Sequence, residues 1–334
     1  PLGLLIPELS LIAALVGGLV IMALAGNALV SGAVSLAARM GVSPLVAGIF
    51  IVGFGTSAPE MIVSLDAALS DRSGLALGNI VGSNIANVFL VLGLPALIAP
   101  IAAGGVGEKR GLIAVIVAAV AWIGITALMP LTPLVGICFI ALLVAYTGLT
   151  FIAARRAVAV GKDPGVTEEE DPHLPLWLAL IYVPLGVLGL ILGADLVIEG
   201  GVGIAMFLNV PEEYIGLTLL AIGTSLPEIG AGLVAVVKKQ GEVLIGNVLG
   251  SNVFNILGAG GIISLFGPIR MAPTFQQYDH WALALATLVI GVVILTKARI
   301  GRLMGLLLLL VYVAYIYGLI TGLNISGLFQ PVGT

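Results

Sequence analysis

The sequence predicts an all-α integral membrane protein in which ten transmembrane helices form two inverted-topology repeats of five helices each. Three observations lead to this fold class. Charged residues make up 9% of the 334-residue chain, whereas a soluble domain carries roughly 25%. Ten apolar segments are each close to or above the ~20 residues that cross a bilayer as a helix. A pair of motifs in the first half returns in the second half at a constant offset of 168 positions.

One polar stretch separates the first five apolar segments from the last five. This stretch, residues 157–173, contains four consecutive acidic residues and is interpreted as a solvated linker. It divides the chain into a first five-helix repeat over 1–156 and a second over 174–334. The apolar segments lie at about 9–37, 43–70, 76–99, 110–128, 131–156, 174–206, 212–238, 244–267, 280–298 and 300–323.

The topology follows from the number of segments and from the basic residues. Because five is an odd number, the second repeat must enter the membrane from the opposite side, which predicts inverted repeats. With the N-terminus outside, eleven Lys and Arg residues fall on the inner side, and only Arg72 and Arg270 fall on the outer side. This is the asymmetry that the positive-inside rule describes. We therefore expect both termini outside and the 157–173 linker in the cytoplasm.

The first repeated motif predicts a break in helices 2 and 7. It reads GTSAPE at 55–60 and GTSLPE at 223–228. Pro59 has no N–H and crowds the carbonyl of Gly55, and Pro227 and Gly223 repeat this arrangement. Irregular backbone inside a membrane is tolerated only where it is buried in protein or lines a cavity. The carbonyls at the ends of the half-helices, residues 53–56 and 221–224, carry partial negative charge.

Each of these motifs ends in a glutamate, Glu60 or Glu228. An ionisable residue in a membrane segment costs about 2.5–3.5 kcal/mol and indicates a functional site. The carboxylates, together with hydroxyls and free carbonyls, are hard oxygen ligands that suit Ca²⁺ or Na⁺. One Ca²⁺, two Na⁺ or two H⁺ would each neutralise the pair. A site that accepts either the divalent ion or the monovalent ions, but not both, predicts an exchanger.

The second repeated motif predicts a polar stripe on helices 3 and 8. It reads GNIVGSNIAN at 78–87 and GNVLGSNVFN at 246–255. Small residues spaced four apart let another helix approach closely, so each stripe can lie against a broken helix. We assign Asn79 and Asn247 to interhelical hydrogen bonds. The other stripe residues, which lie one or two turns further along, are assigned to the ion site: Ser83, Asn87, Ser251 and Asn255.

In these motifs the chain resembles the cation/Ca²⁺ antiporter superfamily, specifically the prokaryotic sodium/calcium exchanger type, whose α-repeats match 55–87 and 223–255. The resemblance implies alternating access by sliding of helices 1 and 6 past a rigid core. It also implies twelve ion-binding positions: Glu60 and Glu228, the carbonyls of Thr56, Thr224, Gly53 and Ala221, and the side chains of Ser57, Ser225, Ser83, Ser251, Asn87 and Asn255. The metal contacts are expected at Glu60, Glu228, Thr56 and Thr224. Several relatives carry Asp at the position of Asn255 or Asn87, so stoichiometry, K⁺ dependence and the driving ion stay open.

The function predicted first is a Na⁺/Ca²⁺ antiporter of a prokaryotic plasma membrane, with no cofactor and with no obligatory protein partner evident beside the lipid bilayer. A Ca²⁺/H⁺ antiporter on the same scaffold is an alternative, because two glutamates without an aspartate suit proton coupling. A cation channel is a further alternative, because inverted repeats with broken helices also occur in channels. No nucleophile–base pairing indicates an enzyme, and no basic face indicates nucleic-acid binding.

Overall fold

The structure, a computed structural model, describes residues 5–105, 107–159, 174–208, 221–273 and 275–322. Within these ranges the chain is almost entirely helical, and nine helices are long and apolar enough to cross a membrane. A tenth apolar helix is shorter. The ten are α1 Leu5–Met40, α2 Pro44–Leu69, α3 Ser73–Ile98, α4 Glu108–Leu128, α5 Pro133–Ala159, α6 Leu176–Phe207, α7 Leu226–Val237, α8 Gly241–Ser264, α9 Phe275–Thr296 and α10 Arg302–Thr321.

The predicted all-helical membrane fold is confirmed, with one shifted boundary at the linker. Helix α5 runs to Ala159, three residues into the stretch that was expected to be a linker from 157. Two of those three residues are alanine, the strongest helix former, so the helix continues past its last basic residues. The remainder of the predicted linker, 160–173, lies outside the described residues.

Helices α1 and α2 show how the sequence sets a boundary. Helix α1 ends at Gly41, whose φ of +65° is the left-handed conformation that glycine adopts after a helix. Helix α2 then begins at Pro44, which occupies the first helical position. Proline is favoured there because its missing N–H would have no partner within the helix.

The expected breaks in helices 2 and 7 take two different forms. A single helical turn, Ala221–Gly223, is followed by a turn at Thr224 and Ser225, after which α7 begins. Helix α2, in contrast, continues through Pro59, and its irregularity is a π-helical turn at Gly48–Gly53. The extra residue of a π-helical turn absorbs strain in a helix without breaking it. The irregularity in helix 2 therefore lies earlier than the sequence predicted.

Helices α2, α3, α7 and α8 form the centre of the molecule, and α1 and α6 pack against each other along their lengths at its side. From Val243 to Gly261, every residue of α8 is buried. Small residues bring α1 and α6 together: a Cβ built on Gly186 of α6 would lie 2.6 Å from the backbone nitrogen of Leu29 on α1. Outward-facing leucines of both helices are exposed, as expected of surfaces that contact lipid.

Contacts between the helix ends define two opposite faces of the bundle. On one face, strand β1 (Ile101–Ala102) pairs antiparallel with strand β2 (Arg299–Ile300). On that same face, Arg39 Nη2 donates to the carbonyl of Leu174 over 2.6 Å. On the other face, Leu131 and Ile269 form an antiparallel bridge between the α4–α5 and α8–α9 connections. The two sets of contacts therefore lie at opposite ends of α4 and α9.

Candidate functional site

The two motif glutamates meet at the centre of the bundle. Glu60 on α2 and Glu228 on α7 are each 1% exposed. Ser57, one turn before Glu60, donates its hydroxyl hydrogen to Glu228 Oε1 over 3.3 Å. The motif of the first half therefore contacts the glutamate of the second half directly.

Glycines hold α2 against α8 beside this pair. A Cβ on Gly246 would lie 3.0 Å from the Cα of Gly48, and a Cβ on Gly250 would lie 2.8 Å from the Cα of Ile49. Only residues without a side chain allow two backbones to come this close. As a result, the hydroxyl oxygen of Ser251 on α8 lies 3.3 Å from the Gly53 carbonyl oxygen on α2.

The corresponding glycines of the first half are Gly78 and Gly82. The residues that the repeat would pair with them, 216 and 217, lie outside the described residues. The stripe on α8 therefore lies tightly against a motif helix, and the equivalent approach for the stripe on α3 stays a prediction. Helix α3 also contacts α2 through Asn79, which donates to the Glu60 carbonyl over 3.1 Å.

Neutral polar side chains connect the two halves around the glutamates. Thr56 Oγ1 lies 3.0 Å from the Val52 carbonyl and 3.2 Å from Asn247 Oδ1. Asn87 Nδ2 on α3 donates to Asn252 Oδ1 on α8 over 3.1 Å. A π-helical turn begins at Asn87, and another, Phe254–Ala259, follows Asn252. Such turns are often found at functional sites.

Several buried oxygens at this centre have no hydrogen-bond partner among the described residues. Buried polar atoms are almost always hydrogen-bonded, so a group of unpaired oxygens indicates a place where a cation can bind. The amide nitrogens of Asn247 and Asn255 are unpaired as well. The unpaired oxygens near the motifs are Glu60 Oε1 and Oε2, Glu228 Oε2, Ser225 Oγ, Asn84 Oδ1, Asn87 Oδ1 and Asn255 Oδ1.

Most of the predicted site residues lie in the buried centre. Thr224 is partly buried within the turn before α7, and Ala221 begins the short helical turn that precedes it. Within the described ranges, no side-chain hydrogen bond joins Ser83, Thr224 or Ser225 to another predicted site residue, while the backbone N–H of Asn87 donates to the Ser83 carbonyl. The predicted residues that are buried are Gly53, Thr56, Ser57, Glu60, Ser83, Asn87, Ser225, Glu228, Ser251 and Asn255.

Two residues in this network were not among the predicted ion-binding positions, Asn247 and Asn252. Asn247 was predicted to form an interhelical hydrogen bond, and it lies 3.2 Å from Thr56 Oγ1 on α2. Asn247 lies one turn before Ser251 on the same stripe, and that spacing was the available signal in the sequence. Asn252 lies one residue off the stripe, so periodicity gave no indication of it. Asn79 does form the predicted interhelical hydrogen bonds, to the Glu60 carbonyl and to Ser64 Oγ at 2.9 Å.

Comparison with known proteins gives the family. Residues 10–152 and 178–321 match the model of the family described as sodium/calcium exchanger protein. The protein CaxA of Alkalimonas amylolytica is 35% identical over 306 residues, covering 90% of this chain and 95% of its own. The sodium/calcium exchanger MaX1 of Methanosarcina acetivorans is 29% identical over 333 residues, covering 90% and 95%.

A solved structure of the sodium-calcium exchanger NCX_Mj, soaked with zero Na⁺ and Ca²⁺, has the same fold. It aligns with a TM-score of 0.77 at 30% sequence identity, covering 93% of this chain and 99% of its own. The match spans the helices that carry both motifs. The chain therefore belongs to the sodium/calcium exchanger protein family and is a membrane transporter rather than an enzyme.

Proposed function

We propose that this chain is a secondary-active antiporter that exchanges Na⁺ for Ca²⁺ at a site built around Glu60 and Glu228. One observation carries the proposal. Two buried carboxyl groups, one from each half of the chain, are linked through Ser57, which lies one turn before Glu60 and donates to Glu228 over 3.3 Å, and three of their four oxygens have no partner among the described residues. Membership of the family supports cation/Ca²⁺ antiport in general, and the arrangement of oxygens supports these two glutamates as its centre.

The charge of the site gives the mechanism of exchange. Two carboxylates in a buried environment repel each other and are costly when ionised. One Ca²⁺ offsets both charges, and so do two Na⁺. Because both ions need the same oxygens, binding of one displaces the other. Only a site with its charge neutralised changes between the outward-open and inward-open states, and this restriction couples the two fluxes.

The remaining ligands are proposed from the same centre. The hydroxyl group of Ser57 donates to Glu228, and the hydroxyl group of Ser251 lies within hydrogen-bond distance of the Gly53 carbonyl and Asn247. We assign the other predicted positions to the same site as oxygen donors: the carbonyls of Thr56, Thr224 and Ala221, and the side chains of Ser83, Ser225, Asn87 and Asn255.

Alternating access requires two halves of opposite orientation, and we propose inverted repeats over 1–156 and 174–334. The contacts that divide the loops between two faces support this arrangement. The excess of basic residues in the loops predicted to be inside supports a cytoplasmic position for the face with β1 and β2. Both termini would then lie outside a prokaryotic plasma membrane, and the 157–173 connection would lie in the cytoplasm.

The central test removes the carboxylates. Glu60→Gln and Glu228→Gln should each abolish ⁴⁵Ca²⁺ uptake into Na⁺-loaded proteoliposomes, because one remaining carboxylate cannot balance a divalent ion. Glu108→Gln is the matched control, since Glu108 is also 1% exposed but binds the Gly104 amide at the end of the bundle. The elution volume and the melting temperature of all three variants should equal those of the unchanged protein. Uptake at the original rate in both site variants would rule out the assignment.

The ion that drives Ca²⁺ uptake is identified by changing which ion gradient is imposed across the proteoliposome membrane. We expect Ca²⁺ uptake with an outward Na⁺ gradient and none with a pH gradient in the absence of Na⁺. Uptake driven by the pH gradient alone would support a Ca²⁺/H⁺ antiporter instead. Uptake with neither gradient would indicate a channel. The same proteoliposome preparation serves all three conditions, so differences in protein content do not affect the result.

A further inference from the structure

Asn247 lies between two hydroxyl groups of the candidate ion site. Its Oδ1 is 3.2 Å from Thr56 Oγ1 on α2 and 3.3 Å from Ser251 Oγ, one turn further along α8. The side chain is 1% exposed. Nothing in the motif pattern separates this asparagine from its counterpart Asn79, which lies 168 positions earlier.

Each of the two hydroxyl groups has another acceptor within reach. Thr56 Oγ1 is 3.0 Å from the Val52 carbonyl and borders the carboxyl group of Glu228. Ser251 Oγ is 3.3 Å from the Gly53 carbonyl. A hydroxyl carries one hydrogen and two lone pairs, so it can donate to only one of these acceptors at a time.

The acceptor to which each hydroxyl donates decides whether the hydroxyl oxygens and the Gly53 carbonyl oxygen can bind a cation. A hydrogen directed at Gly53 occupies a carbonyl that is itself a proposed ligand, whereas a hydrogen directed at Asn247 leaves that carbonyl free. The lone pairs of the hydroxyl oxygen then face away from Asn247. We infer that Asn247 is a positioning residue, which accepts the hydroxyl hydrogens of Thr56 and Ser251 and thereby turns oxygen lone pairs toward the transported cation.

The first half of the chain does not offer the same arrangement. Asn79 uses its Nδ2 as a donor, to the Glu60 carbonyl and to Ser64 Oγ at 2.9 Å. The residue 168 positions after Ser64 is Gly232, so Asn247 has no equivalent serine to bind. The positioning role therefore belongs to one of the two asparagines, although the motifs that contain them are nearly identical.

The experiment measures the apparent KM for Ca²⁺ and the maximal uptake rate in Na⁺-loaded proteoliposomes, and the inference rests on the proposed antiport. Asn247→Leu removes the acceptor at similar volume and should raise KM on the order of tenfold with the maximal rate largely kept, the pattern of lost ligand binding. Asn247→Asp keeps an acceptor oxygen and should hold KM within about threefold of the unchanged protein.

Ser264→Ala is the matched control. Ser264 lies on the same helix as Asn247 and is 0% exposed, but it donates to the Gly260 carbonyl of its own helix over 2.6 Å. Its KM should stay at the original value. An equal KM in Asn247→Leu and Ser264→Ala would overturn the inference, and so would an Asn247→Asp protein as impaired as Asn247→Leu. Normal exchange in Glu60→Gln and Glu228→Gln would instead reject the antiport itself, which keeps the two failures distinct.

Discussion

Ser57 donates its hydroxyl hydrogen from α2 to Glu228 on α7 over 3.3 Å, and both side chains are buried. A hydrogen bond to a charged group contributes about 1.5–3 kcal/mol. Ser57→Ala should therefore raise the apparent KM for Ca²⁺ by roughly ten- to hundredfold. Ser64→Ala serves as the control, because Ser64 is equally buried on the same helix but bonds only Asn79. A KM unaffected by Ser57→Ala would show that this hydroxyl does not support the site.

At the scale of single residues, the side chains that supply charge could be predicted from the sequence. The side chains that orient other ligands could not. Glu60 and Glu228 stand out because a carboxyl group is costly in an apolar segment. The contacts of Asn247 and Asn252 depend on how far each helix is rotated about its axis. The π-helical turns at Asn87–Val91 and Phe254–Ala259 change that rotation. A period of 3.6 residues cannot anticipate such turns.

Helix packing beside the candidate site is set by the glycines of the second motif. Gly246 and Gly250 lie against the backbone of Gly48 and Ile49 on α2, and their spacing of four residues was the signal for this contact in the sequence. The repeat predicts a second close approach, of Gly78 and Gly82 to residues 216 and 217. These two residues lie outside the described ranges, so the second interface stays a prediction.

The close approach of α8 to α2 leads to a prediction about stability. Gly246→Ala would place a methyl group against the backbone of Gly48, and such overpacking costs about 1–3 kcal/mol. We expect a clearly lower melting temperature in detergent, together with a loss of Ca²⁺ uptake as α2 moves away from Ser251. Gly124→Ala on α4 is the control and should melt no lower than the unchanged protein, because Gly124 is exposed and its Cβ would meet no atom of the described residues within 4 Å. Equal melting temperatures for the two variants would contradict the close approach of α2 and α8.

At the scale of the whole molecule, the features to be predicted are the number of helices and the orientation of the two halves in the membrane. Ten apolar segments and their approximate positions could be predicted because each has to span the hydrocarbon layer. The irregularity of α2 could not be located, since a π-helical turn leaves no clear mark in composition. The opposite orientation of the halves remains a prediction from the odd number of helices and the basic residues, and it has a direct consequence: residues 168 positions apart must lie on opposite sides of the membrane.

Two such pairs are exposed at helix ends and can be labelled: Ser70 with Lys238, and Ala102 with Arg270. Each is changed to cysteine in a Cys138→Ala background, because Cys138 is the one native cysteine and is exposed. In intact cells a membrane-impermeant maleimide should modify the cysteines at 70 and 270, and those at 102 and 238 only after permeabilisation. The background protein should stay unlabelled. If 102 and 238 were labelled in intact cells instead of 70 and 270, the orientation would be the opposite one and the inverted repeats would still hold. If both members of one pair were labelled from the same side, inverted repeats would be excluded.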